Sequence, residues 1–400
     1  MSFFILQEIK YDIQPNNLKI TFIENKELHT QKTLNPSLKI YLNSSKSNIS
    51  TYNEKWNNFK KYTYPYEFVH TLIPDLTCSI SKLKPISRAF YKLIEIYKNN
   101  NLLNYDRPIT TFHLAEGPGG FIEATNYIRK NKDDHYYGMT LMEAKSSIPN
   151  WYKMKNLLKE NENIHIEYGA DNTGNLFNHK NLIYCRDKFR NKIDIITADG
   201  GFDFSDDFNN QENNAFRLIL TQIAYAICMQ KKNGAFVLKV FDIFNHATFQ
   251  AIYLLSCFYK KIVITKPYTS RYANYEKYIV CKNFKFDETD NITTKFINIL
   301  KILENIDFNR YSINTIINIP IQLYYLSRVK EINAILGHKQ IDNINNTIKL
   351  INYKDKQGKI SMLQNNNIQK CTNWCVKHNI PYNKNYEYKN IFSGYKIKNL

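Results

Sequence analysis

Between residues 109 and 284, short apolar runs alternate with stretches whose apolar residues recur every three or four positions, and this alternation restricts the possible folds most. ITTFHLA (109–115), HYYGMTL (135–141), NIHIEYG (163–169), KIDIITADGG (192–201) and GAFVLKVFDIF (234–244) read as strands. FIEATNYIRK (121–130), NAFRLILTQIAYAICMQ (214–230) and TFQAIYLLSCFY (248–259) read as helices between them. Such a series predicts an α/β fold, a mostly parallel sheet covered on both faces with a ligand crevice at the C-terminal strand ends. KIVITKPY (261–268) and EKYIVCKNF (276–284) close the series. The link between them is too short for a helical crossover, so the last strand is expected to be antiparallel. Upstream, SRAFYKLIEIYK (87–98) places Ala89, Phe90, Leu93, Ile94 and Tyr97 on one helical face, with Lys92 on another side.

The flanking regions are less regular. Residues 1–80 are polar and rich in Asn, Lys and Tyr, and form an N-terminal extension of unassigned structure with a turn at KYTYPYEF (61–68). Residues 81–290 hold the α/β domain, and 291–400 read as a helical C-terminal extension. Within that extension, DNINNTI (342–348) and GKISMLQNNN (358–367) look like loops or ragged helix ends.

With 43% hydrophobic and 22% charged residues in 400, the chain can bury a core and is not a disordered polymer. Lys and Arg number 54 against 36 Asp and Glu, a formal net charge of +18. That excess suits a polyanion such as nucleic acid, although A/T-rich codons would also inflate Lys, Asn, Ile and Tyr. The apolar runs are shorter than the roughly 20 residues a membrane crossing needs, and the N-terminus lacks a secretory pattern, so an intracellular, non-membrane protein is expected. The seven cysteines suggest thiols and no disulfide framework. Cys371, Cys375 and His378 in CTNWCVKH have helical spacing, but a zinc site would need a further ligand such as His165 or His179; buried thiols are the expectation, with no metal.

Five segments carry candidate chemistry. AEGPGGFIEA (115–124) sets Glu116 before a Gly/Pro turn between strand and helix, where backbone can approach a ligand closely; the alternative is an ordinary tight turn. It lacks the G-x-G-x-x-G register expected for a pyrophosphate, so a methionine nucleoside such as S-adenosyl-L-methionine fits better. Asp199 in TADGGFDF ends a central strand and faces the crevice unless it merely closes an Asp-Gly turn. Lys239 lies within the apolar run AFVLKVF, where an ammonium needs a carboxylate neighbour or a task, or else snorkels from a frayed end. Glu276 in TSRYANYEKYIVCKNF and Lys92 in SRAFYKLIEI would each, taken alone, read as surface charges.

Together, S-R-A-F-Y-K-L, A-E-G-P-G-G-F, A-D-G-G-F, F-V-L-K-V-F-D and S-R-Y-A-N-Y-E-K-Y-I-V-C-K occur in an order that resembles the FtsJ-like ribose 2′-O-methyltransferases. The similarity runs from about 81 to 285 and is greatest to the cap-specific mRNA branch. The resemblance implies a Rossmann-like methyltransferase sheet and S-adenosyl-L-methionine as cofactor. It implies a catalytic tetrad of Lys92, Asp199, Lys239 and Glu276. For the cofactor it implies Glu116, Gly117, Pro118, Gly119, Gly120 and Phe121, with Asp171 of GADNTGNL near the adenosine and Asp199 beside it. For RNA the candidates are Arg88, Ser270, Arg271 and Asn274, and Lys82, Lys84 and Arg88 are basic residues expected to contact phosphate. The acid that many methyltransferases carry after the second strand is replaced by M-T-L-M-E, leaving Glu143 a weak candidate. Neither terminal region matches a cap-binding motif.

The expected reaction is methylation of the 2′-hydroxyl of a 5′-terminal transcribed nucleotide of capped mRNA, with Lys239 as the group that deprotonates the hydroxyl. DNA is excluded because it lacks the acceptor. The alternatives are 2′-O-methylation of rRNA or tRNA, a non-catalytic RNA-binding subunit, and an NAD-dependent dehydrogenase, the last weakened by the missing glycine register. Expected partners are capped mRNA and other capping or transcription proteins. The expected setting is the cytoplasm, a viral factory or virion if the source is a large DNA virus, with the nucleus as an alternative.

Overall fold

Every apolar run named above forms a strand in the computed structural model, which describes residues 2–74, 76–142, 150–201 and 210–383 and the backbone of 388–389 and 396–397. The chain begins with β1 (Ser2–Leu6), β2 (Leu18–Glu24), α1 (Pro36–Ser50), α2 (Asn53–Thr63) and α3 (Ala89–Asn100). The central series is β3 (Thr110–Leu114), α4 (Gly120–Arg129), β4 (His135–Met139), α5 (Lys155–Glu160), β5 (Ile164–Glu167), α6 (His179–Phe189), β6 (Ile193–Ala198), α7 (Gln211–Met229) and β7 (Gln230–Val240). It continues through α8 (His246–Phe258), β8 (Tyr259–Lys266) and β9 (Lys277–Phe284). Then come α9 (Asp290–Glu304), β10 (Tyr311–Ile317), α10 (Leu323–Asn352) and α11 (Lys356–Lys377).

The main sheet has eight strands in the order β1-β8-β9-β7-β6-β3-β4-β5. Strands β3 to β7 pair in parallel. β9 lies antiparallel between β7 and β8, as the short link requires. β1 adds a further antiparallel strand on the edge of β8, in a region whose sequence pattern was too weak to show it.

Side-chain alternation along the central strands sorts residues to two cores. Ile195, Ala235, Val237, Val280 and Tyr278 pack with the buried residues of α3 and α4. Ile196, Phe236, Leu238, Ile279 and Cys281 pack on the other face with α7 and α8. All six residues of β6 are buried, which is why its sequence is a nearly continuous apolar run. Its one charge, Asp194, is held by Arg107 at 2.5 Å and by the Thr110 N–H at 3.0 Å.

The terminal regions are joined to this sheet and to each other. β2 and β10 form a two-stranded antiparallel ladder across nearly 300 residues of sequence, so the region expected to be helical also contains a strand. The alternation in YSINTII is brief and interrupted by Ser and Asn, and its partner is distant, so periodicity does not reveal it. The Asn-rich stretches 342–348 and 358–367 lie inside α10 and α11 and are not loops. Their asparagines have tertiary partners: Asn343 Nδ2 donates to Thr63 O at 2.9 Å and Asn367 Nδ2 to Tyr62 O at 2.8 Å. These carbonyls end α2 and lack intrahelical donors, so side-chain amides from the two later helices satisfy them. Among the described residues, no helix is long and apolar enough to cross a membrane.

Candidate active site

The face alternation brings the predicted tetrad together. Asp199 continues the parity of Ile195 and Thr197, Lys239 that of Ala235 and Val237, and Glu276 that of Val280 and Tyr278. All three therefore project toward the α3 side at the C-terminal edge of the parallel strands. Helix α3 supplies Lys92 to the same place. Lys92 Nζ donates to Glu276 Oε2 at 2.8 Å, and Lys239 Nζ lies 3.2 Å from Asp199 Oδ1. Lys239 also donates to Asp199 O at 2.6 Å, and the Tyr278 hydroxyl to Asp199 Oδ1 at 3.0 Å. These four side chains are 11–15% exposed, enough for a substrate to reach them and too little for water to screen them fully. Burial by itself would raise the Glu276 carboxyl, but the Lys92 and Lys239 ammonium groups outweigh it and hold the group well below the usual carboxylate range.

Residues absent from the sequence expectation hold this centre in place. Lys266 Nζ donates to Asn274 O at 2.7 Å and Glu276 O at 2.9 Å, pinning the entry to β9. Burial pulls its amine down to about 7, against the Glu276 charge and with the repulsion of Lys277 and Lys92. One turn beyond Lys92 on α3, the fully buried Glu95 accepts from Tyr268 N at 2.8 Å, Thr269 N at 3.2 Å and Trp374 Nε1 at 3.1 Å. Arg88, expected from the sequence at the RNA, lies one turn before Lys92 and donates to Thr269 O at 3.1 Å. Positions 88, 92 and 95 thus form one stripe of α3 facing this cluster, a helical spacing that the sequence contained.

On the opposite face of the same strand ends, Asp242 accepts from Lys46 at 3.1 Å and from Lys277 at 3.4 Å. The Lys46 ammonium, carried by α1, stands 3.4 Å from the centroid of the Tyr275 ring. Lys277 also donates to Phe241 O at 3.0 Å and Tyr275 O at 3.1 Å. This buried clamp joins the end of β7, which bears Lys239, to the start of β9, which follows Glu276.

The turn after β3 fits a cationic nucleoside. Glu116 is buried; one of its oxygens accepts from Phe121 N at 2.5 Å, and the other has no hydrogen-bond partner. Burial holds this carboxyl well above the ordinary range, against the Phe121 bond and with the Asp199 charge adding to the effect. A ligand bearing an ammonium or sulfonium, as S-adenosyl-L-methionine does, offers the positive charge this site lacks. Gly119 adopts φ +109°, and a Cβ there would fall 2.0 Å from Met154 Sδ, so the turn beginning α4 requires glycine. Gly117, Pro118 and Gly120 complete the turn, with the buried Phe121 in the first turn of α4.

Asp171 sits in the exposed loop after β5, where its oxygens accept from Thr173, Asn178 and Asn181. Desolvation raises this carboxyl, but the several bonds together outweigh it and bring it down to about 2. The carboxylate shapes that loop at the same sheet edge as Glu116. Of the residues expected to touch RNA, Arg271 pairs with the buried Glu67 at 2.9 Å through Nε, and Arg88 Nη1 lies 4.0 Å from that carboxylate. Ser270 is buried with its hydroxyl 3.5 Å from Lys266 Nζ, while Asn274, Lys82 and Lys84 are exposed. Glu143 lies outside the described residues. Cys371 and Cys375 are buried thiols on α11, and His378 packs on Trp374. Among the described residues, no group of three or more His, Cys, Asp or Glu side chains is placed to hold a metal ion.

A Rossmann-like sheet with antiparallel β9, a glycine turn after its first parallel strand and a Lys-Asp-Lys-Glu cluster at its C-terminal edge define the class of α/β methyltransferases. Residues 85–284 match the FtsJ-like methyltransferase family, and the chain belongs to that family. It is 26% identical over 280 residues to "Cap-specific mRNA (nucleoside-2'-O-)-methyltransferase 2" of Drosophila melanogaster, covering 63% of this chain and 37% of that protein. The protein of the same description from Danio rerio is 30% identical over 202 residues, 45% of this chain and 25% of that one. "Cap-specific mRNA (nucleoside-2'-O-)-methyltransferase 1" of Mus musculus is 33% identical over 181 residues, 43% of this chain and 21% of that protein. The chain thus spans between a fifth and two fifths of the length of these relatives.

Proposed function

We propose that this chain methylates the ribose 2′-hydroxyl of RNA with S-adenosyl-L-methionine, and that its acceptor is a 5′-terminal transcribed nucleotide of capped mRNA. The observation that carries the reading is the convergence of Lys92, Asp199, Lys239 and Glu276 on one face of the sheet, with paired contacts of 2.8 and 3.2 Å. Family membership supports the chemistry, and the printed names of the relatives support the capped substrate.

When bound, the cofactor supplies an electrophilic methyl carbon on a sulfonium. Glu116 and the 117–120 turn would hold its charged end, and Asp171's loop would lie toward the nucleoside. The tetrad's task is to place the acceptor oxygen in line with that carbon and remove its proton, and positioning accounts for much of the rate. Lys239 Nζ is the base that takes the proton, with Asp199 fixing its direction through two contacts. Glu276, kept ionised beside Lys92, accepts a hydrogen bond from the ribose and orients it. A sugar without the 2′-hydroxyl offers nothing to deprotonate.

The test is transfer of labelled methyl from S-adenosyl-L-methionine to short capped and uncapped RNAs, with mapping of the modified nucleotide. Label at a 5′-terminal ribose of capped RNA only is the expected result. Label at an internal position independent of the cap would remove the cap reading, and no transfer to any RNA would remove the enzymatic one.

A further inference from the structure

The tetrad divides the sheet edge into two sides. Glu116 and Asp171 follow β3 and β5 on one side, whereas β8 and β1 lie on the other, beyond β9. On that second side is a cavity of about 430 Å³ lined by Lys266, Tyr268, Tyr272, Lys339, Asp342 and Asn343, among others. Its walls come from four parts of the chain: the start of β1, the end of α2 with Pro65 beyond it, the end of β8 with the β8–β9 connection, and α10. The size is within the range of small-ligand pockets, ~300–1,000 Å³.

The lining has the chemistry of a nucleotide site. Tyr268 is braced as a stacking platform by Tyr66, with ring centroids 4.8 Å apart and planes at 21°. Tyr272 is held edge-on by Tyr64 at 5.6 Å. Lys339, exposed on α10, offers an ammonium group for a phosphate, and Asp342 and Asn343 offer side-chain oxygens for base N–H groups. Lys266 connects the cavity to the reaction centre, because it also holds the Glu276 carbonyl at 2.9 Å.

We propose that this cavity is a subsite for one ribonucleotide of the substrate strand next to the acceptor, its base stacked on Tyr268 and its phosphate paired with Lys339. The proposal rests on the RNA methylation reading and gives both terminal regions a part in substrate selection. In-line transfer favours this placement: cofactor on the β3–β5 side, acceptor at the tetrad, and the strand continuing toward β8.

The experiment measures steady-state methylation of a capped octanucleotide, together with its binding by fluorescence anisotropy. Lys339→Glu, on the exposed side of α10, is expected to raise the RNA KM about tenfold and to lower the salt slope by about 0.7, the value for one phosphate contact on a single strand. Lys339→Arg stays within about twofold of the parent. Tyr268→Leu keeps apolar volume and loses stacking, for a further rise of about tenfold. A reversal at the opposite sheet edge, Lys260→Glu, stays within about twofold, and calorimetric affinity for S-adenosyl-L-methionine is unchanged throughout. If Lys339→Glu and Tyr268→Leu leave the RNA KM and anisotropy unchanged while Lys239→Ala abolishes turnover, the subsite is wrong and the methylation reading stands. If the parent methylates no RNA yet binds the octanucleotide in a Lys339-dependent manner, the reading fails and the subsite survives. Absence of both transfer and binding overturns the two together.

Discussion

The two faces of β7 and β9 hold charge for different purposes. On the α3 face, Lys92–Glu276 and Lys239–Asp199 form pairs whose members are 11–15% exposed. On the other face, the Lys46 and Lys277 side chains are only 4% and 6% exposed around an Asp242 that is 12% exposed, and the lysines donate to Asp242 together with a neighbouring side-chain or main-chain oxygen. A charge that must meet a substrate stays accessible. A charge that must fix geometry is sealed and multiply bonded, because buried ions persist only with full partners. The difference teaches that the proposed reaction centre is supported from behind, and that one of its supports, Lys46, comes from the N-terminal region.

The largest expected effect breaks the accessible face alone. Lys239→Ala should lower methyl transfer by ~10³-fold, in the range for loss of a general base, while cofactor affinity measured by calorimetry changes less than twofold. Retained turnover would refute the assignment of the base. Next, Asp242→Ala strikes the sealed face and leaves two buried ammonium groups uncompensated; denaturant unfolding should show a loss of about 3–5 kcal/mol. Lys46→Met should lower kcat about tenfold in protein that is still folded by circular dichroism, with cofactor KM unchanged. A fall in activity that merely tracks the folded fraction would show the clamp to be structural only.

Lys266 sharpens the comparison, because it is half-buried in the cavity wall and holds the main chain of Glu276. Its amine is lowered to about 7 in the fold, whereas an unfolded lysine titrates near 10.4. Between those values the unfolded chain binds more protons, so this residue's contribution to stability rises with pH from about 7 to about 10.4 and is least favourable below 7. Urea denaturation at pH 7 and pH 9.5 should therefore show the parent gaining stability relative to Lys266→Met at the higher pH. A difference that is flat or of opposite sign would contradict the burial of this amine. The smallest effect lies far from either face: Asn367→Ala should cost about 1 kcal/mol, since it removes a side-chain donor from the end of α2.

Much of the centre could be read from the residues in order. Asp199 and Lys239 stand where apolar runs end or are interrupted, and the parity of Ile195, Thr197 and Asp199 against Ala235, Val237 and Lys239 already assigns them to one face once the strands are parallel neighbours. Glu95 was equally available, three residues after Lys92, but an acid in an amphipathic helix gives no sign that it will be buried against Tyr268, Thr269 and Trp374. Lys46 and Lys266 were not available. One lies in a weakly periodic polar region and the other at a strand end, where lysines are ordinary. The asparagines of α10 and α11 misled the reading because local propensity places Asn at helix ends, whereas here their amides complete another helix.

Local pattern determined the strand order in time: apolar runs of strand length, glycine at the turn after β3, and a link between β8 and β9 too short for a crossover. Those features are set by steric and hydrogen-bonding rules acting within a few residues. The tertiary structure alone decided that β1 closes the sheet edge, that β2 and β10 pair across nearly 300 residues, and that α10 walls a cavity shared with Lys266. Such contacts depend on which surfaces are left unburied after the central sheet has formed, and no window of sequence contains that quantity.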